Sequence, residues 1–542
     1  MNPEINILFY SPTVRSTRYH KKTLSSREGA VQHIYLNTVP LYLNTFIKKN
    51  NPDLYSMIKW KHIILSITDQ DDLVSLIERD NINVLCFSLY SWNHHDISAI
   101  MTGIKERIGR EITIVVGGPS VDVARNGDFL LNHPDVDYAV FTDGEKPFHD
   151  ILAHRFMGKT LSPLFTKNVA WMDAGKLKKA PYEFFVNTSD SPYLESEHLL
   201  QQIVDDPRNI NATFELPYET SRGCPHGCTF CDWTSGMSHK SVKRKSNYED
   251  ELHLFGRLGI RFLYFADANF GLWPVDVLIA KKMAELKPLY DFETYTPNLS
   301  KTKKDRVFEI MDIFLTSGVV QICKFSVQDI DPVVLKNIDR PDIPWPEHKE
   351  YIRAIQKKHP NKIYKMEMIK GMPGQTRDSW ANTLLEAYSL NLKPEAFNWI
   401  VLPNSPAGYD LEYRERMQLK TTRIERNLRE EQVIGTYSFE PIDYAYFSVI
   451  EYLYRILHFM GVTPEEMKNV FTCTSPEWET DYLPAALENI LLNGGLWHAA
   501  GNKIIHQIFD DHPLSRLYSE RWNLYLENEL QIHEGYIRAD LL

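Results

Sequence analysis

Along the first 150 residues, short apolar runs alternate with segments whose apolar positions recur every three or four places. NILFYSP (6–12), HIILSI (62–67), NVLCFSLY (83–90), ITIVVGG (112–118) and VDYAVFT (136–142) read as strands. IYLNTVPLYLNTFIKK (34–49), DLVSLIERD, DISAIMTGIKERI and the segment after Glu145 read as helices between them. Strands apolar on both faces, separated by polar-faced helices, predict a doubly wound, Rossmann-like parallel sheet. Ligands of such sheets sit at the C-terminal strand ends, so the loops to watch are SPTVRS, SLYSWNHH, GGPSVD and TDGEKP. Residues 151–213 lose the rhythm. NVAWMDAGKLKKAP predicts a hairpin, and NTSDSPYLESE reads as the connection to the next domain.

From 214 the strand–helix alternation returns. PYETSRG (217–223), IRFLYFAD (260–267), DFETYTP (291–297), VQICKFSVQ (320–328), IYKMEMIKG (363–371) and AFNWIVLP (396–403) predict a partial TIM barrel, (β/α)6, with its chemistry on the C-terminal loops. From 413 the strands are expected to stop. In 443–461, Tyr444, Phe447, Ile450, Leu453, Tyr454 and Leu457 recur at three and four, the stripe of an amphipathic helix. Trp478, Trp497 and Trp522 either pack a core there or wall a pocket. The expected parts are therefore 1–150, a linker over 151–213, a barrel domain over 214–412 and a mostly helical region over 413–542.

Composition narrows the function. The 542 residues are 43% hydrophobic, enough for sizeable cores, and the net charge of -11 argues against a nucleic-acid-coating role. The most apolar window, DYAYFSVIEYLYRILHFMG, contains Asp443, Glu451, Arg455 and His458, so no membrane span is expected. With no signal-like start and six cysteines, too few for a disulfide framework, a cytoplasmic protein is expected. Three of the six lie together in SRGCPHGCTFCDW, as Cys224, Cys228 and Cys231. Thiolates spaced C-x3-C-x2-C suit an iron–sulfur cluster or zinc. A closed zinc site needs a fourth ligand, for which His226, Asp232 and His239 stand nearby. Gly223, Pro225 and Gly227 shape the loop, and Phe230 and Trp233 are placed to cover it from water.

C-x3-C-x2-C directly after a first barrel strand resembles the radical SAM superfamily. That resemblance implies a [4Fe-4S] cluster held by the three cysteines, with S-adenosyl-L-methionine (SAM) on the remaining iron and a 5′-deoxyadenosyl radical as product of its cleavage. YFADANFG (264–271), FSVQDIDPVVLKNIDR (325–340) and MIKGMPGQT (368–376) resemble further family segments. They imply SAM contacts at Phe230, Asp267, Asn269, Glu293, Ser326, Gln328, Gly371 and Pro373, with Asn298 another inner-strand candidate. RKSNYEDEL (244–252) resembles the helix after the cluster loop. Lys243, Arg244 and Lys245 beside it either meet a carboxylate or phosphate or form a solvated face.

The first domain resembles the cobalamin-binding domain of one radical SAM subclass, through SLYSWNHHDI, VVGGPSVD and VDYAVFTDGEKPF. The implied cobalamin contacts are Ser88, Tyr90, Trp92, Asn93, Gly117, Gly118, Pro119, Gly144 and Glu145. No D-x-H-x-x-G occurs, so the resemblance implies a cobalt without that histidine below it, faced instead by Tyr90, Trp92, Asn93 or His94. His94 and His95 read first as surface or helix-cap residues, with a cofactor contact as the alternative. The implied activity is methylation of an unactivated carbon through methylcobalamin. Radical oxidation, cyclisation or rearrangement, with cobalamin in another role or absent, stays open, as does a non-catalytic zinc- or cobalamin-binding module. A methylthiotransferase is disfavoured, because Cys86 is the sole cysteine of residues 1–150. The expected partners are a small-molecule or peptide substrate and an electron donor such as flavodoxin or ferredoxin.

Overall fold

The computed structural model describes residues 4–10, 32–62, 70–90, 93–109, 111–121, 128–164, 166–186, 190–209, 212–233, 239–244, 247–424, 427–470, 478–493, 499–510 and 520–521. Its first eight strands are β1 (Ile5–Tyr10), β2 (Gln32–Tyr35), β3 (Ile58–His62), β4 (Val84–Ser88), β5 (Thr113–Gly117), β6 (Tyr138–Val140), β7 (Val169–Asp173) and β8 (Lys176–Lys179). All but β2 form one sheet in the order β3-β1-β4-β5-β6-β7-β8. The pairings from β3 to β6 are parallel. The expected hairpin, β7–β8, adds an antiparallel edge. Alternation explains the two-sided burial. Ile5, Ile7, Phe9, Val84 and Cys86 enter the core under helices Val39–Asn50 and Glu145–Met157, while Leu8, Tyr10, Leu85 and Phe87 enter the core on the other face. Each such side chain contributes about 1.5–3 kcal/mol by leaving water.

Details depart from the pattern. The expected strand at 62–67 begins earlier, at Ile58, and residues 63–69 lie outside the described residues. DISAIMTGIKERI forms two helices, His94–Met101 and Ile104–Ile108, parted by Gly103. The expected helix at 34–49 starts only at Val39, with Pro40 in its first turn, where a missing N–H costs nothing. The residues just before it are β2, which pairs parallel with the barrel strand β9 (Ala212–Tyr218) rather than with its own domain's sheet.

The cysteine loop is bracketed by a small ribbon, β10 (Ser221–Gly223) and β11 (Ser241–Lys243). The barrel arc continues through β12 (Phe262–Phe265), β13 (Ile322–Gln328), β14 (Ile363–Lys370) and β15 (Lys393–Asn398), all in parallel pairings. The expected strand at 291–297 is reduced to a bridge between Phe262 and Glu293. Thr294 N–H still donates to Val319 O at 3.0 Å, so the arc stays continuous. Along β13, Cys323, Phe325 and Val327 are buried against helices, while Lys324, Ser326 and Gln328 are half-buried on the inner face.

The expectation that strands end at 413 is corrected. β16 (Ile400–Val401), β17 (Lys420–Ile424) and β18 (Asn427–Gly435) form an antiparallel sheet. The stretch TTRIERNLREEQVIG carries charges at helical spacing, and this masks the strand alternation. Helix Pro441–Phe459 follows, with the expected stripe buried. NTSDSPYLESE is not a bare connection: helices Pro192–Glu195 and Glu197–Val204 pack Tyr193, Leu199 and Leu200 into the barrel core. Trp478 is buried, whereas Trp497 and Trp522 lie outside the described residues. Among the described residues, no helix is long and apolar enough to cross a membrane.

Candidate functional site

Asp267, at the C-terminal end of β12, organises the start of the cysteine loop. Its carboxylate accepts from Thr220 N–H at 2.7 Å, from Ser221 N–H at 2.9 Å and from the Thr220 hydroxyl. Burial raises its pKa, and Lys243, 3.8 Å away, opposes that rise. Asp267 is thus occupied in fixing backbone just before the first thiol. Two residues on, Asn269 donates through Nδ2 to Cys224 Sγ at 3.0 Å and accepts at Oδ1 from Lys301 Nζ at 3.1 Å.

Cys224, Cys228 and Cys231 all line one cavity of about 1250 Å3, its open mouth included. Phe230, Trp233, His226, His239, Asn298, Lys301, Ser326, Gln328, Arg340 and Glu367 share its walls. Burial pushes the Cys228 thiol up and the Cys231 thiol up to about 12, while the positive charge of Lys301 draws both down. Arg340 adds to that pull at Cys228. Burial lowers the Lys301 pKa, with Arg340 contributing, and the three thiols work in the opposite direction. On the facing strand, Ser326 donates to Glu367, and Lys324 Nζ lies 2.5 Å from the same carboxylate.

The donor set fits a cluster better than a lone ion. Three thiols surround a cavity with cations beside them, and among the described residues no three His, Cys, Asp or Glu side chains converge on a single-ion point. His239 faces the His226 carbonyl at 3.3 Å. Thiolate ligands carry negative charge into a buried site, which Lys301 offsets, while Arg340 is balanced by Asp342 at 2.9 Å in the same wall.

The other expected SAM contacts divide. Phe230, Ser326 and Gln328 line the cavity with the thiols, and Gln328 ends β13 with φ 68. Glu293 lies outside these walls, with Lys287 Nζ 3.6 Å from its carboxylate. Gly371 N–H donates to Gln375 at 2.8 Å, and Pro373 O accepts from Asn337 at 3.0 Å, so both belong to a closed turn. The basic run is not a solvated face: Lys243 pairs with Asp276, and Arg244 is buried on Glu251 at 2.6 Å. Lys245 lies outside the described residues.

In the first domain, Ser88, Gly117, Gly118, Pro119, Gly144 and Glu145 cluster at the C-terminal ends of β4, β5 and β6. Asn93 closes its own loop, accepting from Tyr90 N–H at 2.8 Å and donating to Ser88 O at 3.1 Å. Trp92 and the side chains of His94 and His95 lie outside the described residues. Two of these loops touch the barrel directly. Asn404 Nδ2 donates to Pro119 O at 2.6 Å and to Val121 O at 3.2 Å. Glu145 accepts from Arg222 Nη1 at 2.7 Å. Sequence reasoning missed Lys301, Arg340, Arg222 and Asn404, since each acts on residues distant along the chain.

Residues 218–387 match the family profile described as the radical SAM superfamily, and residues 59–152 match that of the B12 binding domain. The chain therefore carries a radical SAM domain joined to a B12 binding domain. It is 29% identical over 403 residues to the cobalamin-dependent radical SAM methyltransferase TokK of Streptomyces tokunonensis, covering 71% of this chain and 57% of that one. It is also 29% identical over 351 residues to the 2-(S-pantetheinyl)-carbapenam-3-carboxylate methyltransferase of Streptantibioticus cattleyicolor, covering 61% and 49%. The chain thus spans about half the length of these curated relatives. Its fold resembles that of TsrM from Kitasatospora setae, solved with cobalamin and a [4Fe-4S] cluster (TM-score 0.55, 12% identity, covering 86% of this chain and 81% of that one). It likewise resembles OxsB, solved with aqua-cobalamin and SAM (TM-score 0.59, 13% identity, 99% and 81%).

Proposed function

We propose that this protein is a cobalamin-dependent radical SAM methyltransferase acting on an unactivated carbon. The observation that carries this reading is the cavity in which Cys224, Cys228 and Cys231 meet Lys301 and Arg340, in a chain whose first domain matches the B12 binding profile. When bound, the cluster supplies an electron to the SAM sulfonium and the corrin supplies a methyl carrier. The chain's own residues do the positioning. Cys224, Cys228 and Cys231 hold the cluster, and Asn269 and Lys301 steady the first thiol. Phe230, Ser326 and Gln328 bind SAM within the same walls, and Asp267 serves it by fixing the loop. The β4–β6 strand ends, with Ser88, Gly117, Gly118, Pro119 and Gly144, seat the corrin. Phe230, half-buried in the cavity wall, excludes water on that side, which protects a reactive intermediate from quenching, whereas Trp233 is exposed.

The substrate is a small molecule or peptide, and a flavodoxin or ferredoxin in a reducing cytoplasm supplies the electron. The proposed domain boundaries are 1–150, 151–213, 214–412 and 413–542, with the β7–β8 hairpin of the second segment attached to the first sheet and β18 of the fourth paired with β16 of the third. The test is anaerobic reconstitution with iron, sulfide and hydroxocobalamin, followed by desalting and addition of methyl-labelled SAM and a reductant. Retained corrin absorption, SAM cleavage and label in a product, all lost in Cys228→Ala, are expected. SAM cleavage without retained corrin would replace methylation by another radical outcome.

A further inference from the structure

Arg222 stands two residues before Cys224, in β10. Its guanidinium meets carboxylates from both domains. Nε and Nη2 fork onto Glu219 at 3.0 and 2.9 Å, at the end of the first barrel strand. Nη1 donates to Glu145 at 2.7 Å and to Asp143 at 3.4 Å, in the loop after β6. The Tyr42 ring, on helix Val39–Asn50, lies 5.2 Å from the guanidinium carbon. Glu145 is 4% exposed and Arg222 18%, so this is a desolvated interdomain pair rather than a surface bridge. A planar fork shared among Glu219, Glu145 and Asp143 fixes direction as well as distance.

Between this anchor and the thiol there is almost no slack. Thr220 and Ser221 are held on Asp267. Gly223 has φ +83, and a Cβ there would stand 2.2 Å from Lys240 O, so the ribbon grips the chain on both sides of Arg222. The guanidinium therefore ties the first domain to the backbone segment that leads directly into Cys224.

We propose that Arg222 is a positioning residue through which the first domain sets the cysteine loop, with Glu145 as its principal partner across the interface. The proposal rests on the reading of the three cysteines as cluster ligands. It gives the acidic pair of the TDGEKP loop a task apart from cofactor contact: it holds the cation that precedes the first thiol.

The test uses the full chain, reconstituted without oxygen, as wild type, Glu145→Gln, Arg222→Lys, Arg222→Gln and the Glu145→Gln/Arg222→Gln double variant. Glu111→Gln serves as control, being an exposed carboxylate of the same domain that pairs with Arg155. Three readouts are taken: the rate of iron loss to a chelator, the electron paramagnetic resonance signal of the reduced cluster, and amide exchange over residues 220–231. We expect Glu145→Gln and Arg222→Gln each to speed iron loss at least fivefold, shift the signal and raise exchange in this segment. The double variant should be no worse than the poorer single, Arg222→Lys should recover part of the loss, and Glu111→Gln should match wild type. Wild-type iron retention, signal and exchange in Glu145→Gln would overturn the proposal, as would fully additive effects in the double variant. If wild type itself took up no iron, the cluster reading would fall, and exchange over 220–231 in Glu145→Gln would still decide whether the latch exists.

Discussion

Gly118 illustrates how a single residue joins two loops of the first domain. Its φ is +108, and a Cβ would stand 2.4 Å from Leu89 O, while Leu89 N–H donates to Gly117 O at 2.7 Å. Gly118→Ala should cost about 2–4 kcal/mol in denaturant titrations, because neither backbone can yield without breaking the other's hydrogen bonds. Glu215, on β9, offers a test with a definite sign. Burial raises its pKa to about 7, so between about pH 4.5 and 7 the folded form binds a proton that the unfolded chain has released. Its contribution therefore worsens as pH rises through that window and is fully unfavourable above it. Glu215→Gln should be more stable than wild type at pH 8, by up to about 3 kcal/mol, with most of the gain gone at pH 5. Equal stabilities at pH 8 would contradict this. The three thiols were legible at this scale because ligand spacing is local. The partnership of Arg222 with Glu145 was not, because the two lie 77 residues apart in sequence.

At the scale of elements, strands buried on both faces announced themselves, as in β1 and β4, where every residue is buried. β17 and β18 did not, because the charged residues of 423–431 interrupt the apolar alternation on which strand reading depends. β2 was hidden differently: four residues ending three short of a helix carry too little pattern to be told from it. The junction of β9 and β10 depends on one buried carboxylate accepting three hydrogen bonds. Asp267→Ala should therefore lower stability by about 2–4 kcal/mol and speed amide exchange at Thr220 and Ser221. Exchange at wild-type rates in that variant would mean the ribbon with β11 suffices to hold the junction.

For the whole molecule, the sequence order of a sheet domain, a barrel and a helical region was readable from the change of period along the chain. How the first domain sits on the second was not, since docking rests on polar contacts such as Asn404 with the Pro119 and Val121 carbonyls. Asn404→Ala should weaken docking by about 1–2 kcal/mol, seen as faster proteolysis between the domains with little change in the unfolding of the barrel itself. β2 bears on how the chain comes into being. It precedes most of its own domain, yet its sheet partner β9 follows by roughly 180 residues, or roughly 10–35 s of ribosomal synthesis. For that interval the nascent sheet domain must carry an unclaimed edge segment. A chaperone or a pause in translation between the two would act on this protein at that moment, before the cysteine loop has a barrel to sit in.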